Sequence, residues 1–118
     1  MKKLYYLKTC DTCRRILKEI NLEGIELQEI KENAITVQQI EEMHALSNSY
    51  EALFSKRAQK YKAMGLKDQK LTEQDYKQLI LETYTFLKRP VALLNGEIFI
   101  GNSKKNIEAL KAAINACK

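Results

Sequence analysis

The chain lacks what would commit it to a membrane or to an extended architecture. No apolar run exceeds four residues, Val91–Leu94 being one, against the roughly 20 that a bilayer-spanning helix needs. No membrane span is expected. One proline and four glycines among 118 residues exclude collagen-like structure. Disorder is disfavoured as well, because 45% of the residues are apolar and 30% charged, enough to bury a core with a solvated surface. The length suits one domain. Three cysteines are an odd number and too few for a disulfide scaffold. The amino-terminal MKKLYYLK carries two lysines, but its apolar part is only Leu4–Leu7 and no small-residue cleavage site follows. A cytoplasmic location with reduced thiols is therefore expected. The net charge of +5 is spread over interleaved bases and acids. Its densest basic stretch holds Lys56, Arg57, Lys60, Lys62, Lys67 and Lys70 without a base-reading motif, so it reads as a solvated face and no direct nucleic-acid partner is expected.

Residues 2–7 are β-rich and suit a short strand buried on both faces. From Asp11 the period changes to about 3.6, with Cys13, Ile16, Leu17 and Ile20 on one face, which predicts a helix ending near residues 21–24. Residues 25–30 are extended in character and complete a βαβ unit. The middle is helical. Thr36 can cap a run carrying Val37, Ile40, Met43 and Leu46, a second run lies around residues 55–64, and Thr72-x-x-Asp75 resembles a capping box before Tyr76, Leu79, Ile80 and Tyr84. Asn95-Gly96 between two apolar runs predicts a hairpin. Ser103 can cap a last helix with Ile107, Leu110 and Ile114 as its stripe. The predicted order is β, α, β, helical insert, β, β, α.

The chemistry concentrates in KTCDTCRR. A cysteine near a helix N-cap faces unpaired amides and the positive end of the helix dipole, which favour thiolate over thiol, and the thiolate is the nucleophile. Arg14 and Arg15 add positive charge to the first turn. Cys13, three residues on, shares a helix face with Cys10, with β-carbons about 5–6 Å apart, close to disulfide range. Cys10 is thus the candidate nucleophile and Cys13 the resolving thiol. Two other readings stand beside this one. A CxxC supplies half a zinc site, but Cys117 and His44 would have to complete it and neither comes with a second paired ligand, so no metal is expected. The two cysteines could also be small residues that start a helix. Cys117 reads as an inert helix-end residue and His44 as a surface residue.

The strand followed by KTCDTCRR, the SKRAQKYKAMGL segment, FLKRPV and NGEIFIGNSKKNIEAL together resemble the arsenate reductase-related family, the ArsC and Spx group of glutaredoxin-like proteins, over nearly the whole chain. The resemblance implies an α/β, thioredoxin/glutaredoxin-like mixed four-stranded sheet. The core would span about 1–34 and 85–118, with a helical insert at about 35–84 between strands two and three. It carries the nucleophile to Cys10 and oxyanion-binding arginines to Arg57 and Arg89, whose guanidinium forks suit arsenate or a sulfur oxyanion and would also stabilise the thiolate. Read alone, Arg57 is a surface base and Arg89 a strand-edge residue. The resemblance further implies a cis Arg89-Pro90 bond, with Thr12, Arg14 and Pro90 as substrate-contact candidates.

Two departures narrow the reading. Where the reductases have a third anion-binding arginine the chain reads Ile100-Gly101-Asn102, and Cys13 stands where glutathione-dependent reductases usually lack a cysteine. The local pair points to the Spx branch, yet LSNSYEALF lacks the glycine that RNA polymerase-binding members carry before the arginine. The function expected is a thiol-disulfide oxidoreductase or arsenate reductase-like protein with no bound cofactor. Its substrate would be a small oxyanion or disulfide, and an external thiol (glutathione, glutaredoxin or thioredoxin) would restore it. The alternative is a redox-sensing regulator that binds RNA polymerase or another protein.

Overall fold

The computed structural model describes residues 2–116; Cys117 lies outside them. The chain divides into two units, Met1–Asn33 with Arg89–Lys118, and Ala34–Lys88.

The first unit is a mixed four-stranded sheet with two helices. Its elements are β1 (Lys2–Tyr6), α1 (Asp11–Glu19), β2 (Glu26–Glu29), β3 (Val91–Leu94), β4 (Glu97–Ile100) and α5 (Lys104–Ala116), with α2–α4 falling in the other unit. The strand order is β2-β1-β3-β4. β1 pairs parallel with β2 through Tyr6 opposite Glu29, and antiparallel with β3 through Leu4 opposite Ala92. A two-residue turn joins β3 to β4, with Asn95 at φ 48° and Gly96 at φ 89°. Positive φ at both central residues is what a type I′ hairpin demands. Leu4, Ala92, Leu94 and Phe99 from the sheet pack with Ile16 and Ile20 of α1 and with Ile107, Leu110 and Ile114 of α5. Each such aliphatic side chain contributes roughly 1.5–3 kcal/mol when fully buried, which holds both helices on that face. α1 is shorter than its periodicity predicts, because Ile20 is already extended at φ −114°, ψ 154°. At α5 the Ser103 hydroxyl accepts from the Asn106 N–H at 3.2 Å, the expected cap.

The second unit holds α2 (Val37–Ser47), α3 (Gln59–Ala63) and α4 (Glu73–Glu82), joined by 3-10 turns. Two reciprocal capping boxes start its longer helices. Thr36 exchanges side-chain and backbone bonds with Gln39, and Thr72 does so with Asp75. Phe54 stacks on Phe86 at 4.9 Å, with Tyr76 tilted against it at 4.9 Å and Tyr61 edge-on at 5.9 Å. Two expectations need correction. Ile40 and Met43 are buried but Val37 and Leu46 are exposed, so the apolar stripe of α2 is shorter than its pattern. The helix expected over residues 55–64 contracts to α3, because the Ser55 N–H is donated to the Phe86 carbonyl at 2.6 Å and the Leu53 carbonyl accepts from Lys88 at 2.8 Å. Those bonds flank Phe54, which is extended and bridged to Leu87. Among the described residues no helix is long and apolar enough to cross a membrane.

Candidate active site

Cys10 is the N-cap residue of α1, in extended backbone at φ −91°, ψ 113°. Its N–H donates to the Leu7 carbonyl at 3.1 Å and its own carbonyl accepts from Arg14 at 3.0 Å. The backbone is thereby fixed on both sides of a half-buried sulfur at the positive end of the helix. Cys13 lies one turn in and is fully buried. Both cysteines are free thiols.

The two sulfurs differ in acidity because their surroundings differ. Partial burial works against a Cys10 thiolate. It is outweighed by the Cys13 N–H and thiol, which donate toward it, and by the charge and hydrogen bond of Arg89, so the Cys10 pKa falls below the ordinary thiol value. The Cys10 side chain makes no cap bond in the resting geometry, yet the Cys13 N–H is near enough to favour the ion when it forms. Burial pushes the Cys13 thiol up to about 11, and the Cys10 charge adds to the rise while a Leu7 backbone bond and Arg89 oppose it. One thiol is thus prepared for ionisation and the other is held protonated.

Arg89 is half-buried and is followed by a buried Pro90 across a cis peptide bond, the isomer expected. The Pro90 carbonyl accepts from the Gly101 N–H at 2.8 Å, and the Gly101 carbonyl accepts from Asn106 Nδ2 at 2.8 Å. Gly101 is at φ 90°, a conformation glycine adopts without penalty. This ladder ties the Arg89-Pro90 corner to α5 through Asn106, a residue the sequence reading passed over. Thr12 is half-buried in the first turn of α1. Arg14 is exposed and pairs with Asp11; the charge that acts on Cys10 is that of Arg89. Arg57 is exposed and belongs to the unit Ala34–Lys88, as do the exposed bases Lys56, Lys60, Lys62, Lys67 and Lys70.

Glu29 is the second residue that sequence reasoning missed. It is only 8% exposed, the one buried charged residue among those described. Its Oε2 accepts from the Lys8 N–H at 2.7 Å, and its Oε1 accepts from Lys31 at 2.6 Å and Glu32 at 2.9 Å. Burial opposes ionisation here too, but the three amide bonds and the charge of Lys31 prevail and lower its pKa. His44, expected at the surface, is half-buried and stacks on Tyr50 at 4.1 Å. Among the described residues no group of three or more His, Cys, Asp or Glu is placed to hold a metal ion.

The ArsC family model matches residues 5–110. The chain belongs to the ArsC family. Solved structures agree on the fold. The YFFB (PA3664) protein is 22% identical, with a TM-score of 0.77 over 97% of this chain and 99% of that one. A possible arsenate reductase from Streptococcus mutans UA159 is 26% identical, with a TM-score of 0.73 over 93% and 97%. Arsenate reductase from Vibrio cholerae is 17% identical, with a TM-score of 0.73 over 92% and 94%. No curated protein sequence gives a significant match. This ArsC-family chain therefore has the thioredoxin-like mixed sheet, with Cys10 at the junction of β1 and α1.

Proposed function

We propose that the protein is a thiol-dependent oxidoreductase, arsenate reductase-like in chemistry, that uses Cys10 as nucleophile and Cys13 as resolving thiol. The observation that carries this reading is the split in acidity between two thiols three residues apart, with Arg89 acting on both. In the first step the Cys10 thiolate attacks an electrophilic sulfur of a disulfide, and the other sulfur leaves as a thiolate with the bonding pair. Arsenate offers an equivalent centre, with a hydroxyl of the oxyanion protonated and leaving as water. In the second step Cys13 gives up its proton and attacks the Cys10 sulfur. The former partner departs with two electrons, as thiolate or as arsenite, and a Cys10–Cys13 disulfide remains.

The acidity split supports this order. Capture of Cys10 removes the negative charge that helps keep Cys13 protonated, while the pull of Arg89 on Cys13 persists. The second thiol is activated by the first step. An external thiol such as glutathione, glutaredoxin or thioredoxin then reduces the disulfide through a mixed disulfide on Cys10. The role of Arg57 rests on the family resemblance and is tested by Arg57→Ala, for which a raised KM for arsenate is expected.

Mass spectrometry after mild peroxide tests the core of the reading. A Cys10–Cys13 bridge is expected, with Cys10 the site first labelled by iodoacetamide at mildly acidic pH. Equal labelling of Cys10 and Cys13 without a bridge would count against it. Turnover of arsenate with glutathione or thioredoxin decides the narrower activity.

A further inference from the structure

We infer that Glu29 is a positioning residue for Cys10, acting through the backbone of the loop that joins β1 to α1. The inference rests on the reading of Cys10 as nucleophile. Parallel pairing brings the ends of β1 and β2 together, with Tyr6 opposite Glu29. The chain leaving β1 then has only Leu7, Lys8 and Thr9 before Cys10. Every polar tie found in this loop bears on the site. The Leu7 carbonyl accepts from the Cys10 N–H at 3.1 Å, the Leu7 backbone reaches the Cys13 sulfur, and the Lys8 N–H donates to Glu29 Oε2 at 2.7 Å.

Glu29 supplies the only one of these ties that comes from outside the CxxC segment. Its other oxygen binds the amides of Lys31 and Glu32, so the carboxylate is clamped by its own turn while it holds Lys8. A charged group is well suited to this, because a carboxylate can accept at both oxygens whereas a carboxamide cannot. Glu29→Gln can still serve Lys31 and Glu32 through one oxygen. It then turns an NH2 group toward the Lys8 N–H, donor against donor. The loop loses its anchor, and the distances from Cys10 to the Cys13 N–H and to Arg89 are no longer set.

The test is the pH dependence of the Cys10 thiolate, read by ultraviolet absorbance and by alkylation rate, in wild-type, Glu29→Gln and Gln28→Ala proteins. Gln28 Nε2 braces the same turn on the Asn33 carbonyl at 2.9 Å, so it controls for general loosening. The midpoint in Glu29→Gln should rise by about one pH unit, with alkylation below that midpoint about tenfold slower, while Gln28→Ala keeps the wild-type profile. A merely structural role for Glu29 lowers the thermal midpoint and leaves the Cys10 profile in place, which overturns the inference. Should Glu29→Gln not fold, Glu29→Asp retains the charge, shortens the reach by one methylene and gives the same readout. A wild-type Cys10 that titrates as an ordinary thiol overturns the proposed function itself. A low wild-type value with an unmoved variant overturns only the role of Glu29.

Discussion

Arg89 acts on Cys10 both as opposite charge and as donor, beside the Cys13 N–H and thiol. Removing it should leave burial, which opposes the thiolate, less compensated. Arg89→Ala is expected to raise the Cys10 pKa by about one unit, at the low end for loss of a neighbouring opposite charge. That is roughly tenfold less thiolate at any pH below the midpoint. Arg89→Lys keeps the charge without the planar fork and should recover part of the loss. Thiolate absorbance against pH checks both, and an unchanged midpoint in Arg89→Ala would show that the Cys13 N–H and thiol set it without Arg89. Linkage follows from the same shifts. Because the folded pKa of Cys10 is lowered, its thiolate stabilises the reduced fold above the ordinary thiol range, and this contribution is lost as pH falls through the folded value. Cys13 is raised, so its thiol stabilises the fold below the ordinary thiol range and ceases to as pH climbs through about 11. Glu29 is lowered, and its contribution fades only in acid. Of these residues the cysteine pair was legible in the sequence, since spacing and helix position are local properties. Arg89 was visible only through resemblance. Glu29 was not legible, because its decisive partner is an amide 21 residues away across a parallel strand pair, and a polar residue at a strand end carries no mark of that.

The β3–β4 hairpin places the Arg89-Pro90 corner, and its turn was the plainest element to read. Asn95-Gly96 sits where the chain must take positive φ twice, at 48° and 89°. A methyl group on Gly96 would meet nothing within 4 Å, so the cost of Gly96→Ala is that of the backbone alone. Left-handed backbone costs an ordinary residue roughly 1–2 kcal/mol. Gly96→Ala should lower the unfolding free energy by that amount, read as a lower urea midpoint at unchanged slope, with the Cys10 titration kept because Pro90 remains tied to Gly101. A larger loss, or a changed slope, would mean that the strands had re-registered. The helices were legible to differing degrees, and for stated reasons. α4 and α5 followed their periodicity because a cap begins each and a stripe of Tyr76 and Ile80, or Ile107, Leu110 and Ile114, is buried. α2 began where Thr36 predicted, but periodicity cannot tell how far a stripe stays covered, and Val37 and Leu46 lie beyond the cover. α3 lost its amino-terminal half to an extended segment paired with residues 86–88, a long-range bond that local pattern does not register.

For the molecule as a whole, the quantity that joins the fold to the proposed function is the reduction potential of the Cys10–Cys13 pair, since it compares the stabilities of two folded states. A lowered Cys10 pKa stabilises the dithiol form, which makes the disulfide more oxidising than an unperturbed pair. Proton bookkeeping then gives a shape that can be measured. Below the Cys10 midpoint, reduction takes up two electrons and two protons, and the potential falls by about 59 mV per pH unit; above it only Cys13 takes a proton, and the slope halves to about 30 mV. Because Cys13 is held up to about 11, the shallow region should run from the Cys10 midpoint without a second break until the pH nears that value. Equilibration against glutathione buffers at a series of pH values, read by mass spectrometry of trapped thiols, locates the break. It should coincide with the Cys10 midpoint from absorbance and move upward together with it in Arg89→Ala. A slope of about 59 mV throughout that range would place both thiols in the protonated state. A break that stays fixed while the absorbance midpoint moves would assign the titration to a group other than Cys10. Agreement of the two shifts ties the electrostatics of one helix end to the redox poise of the folded chain.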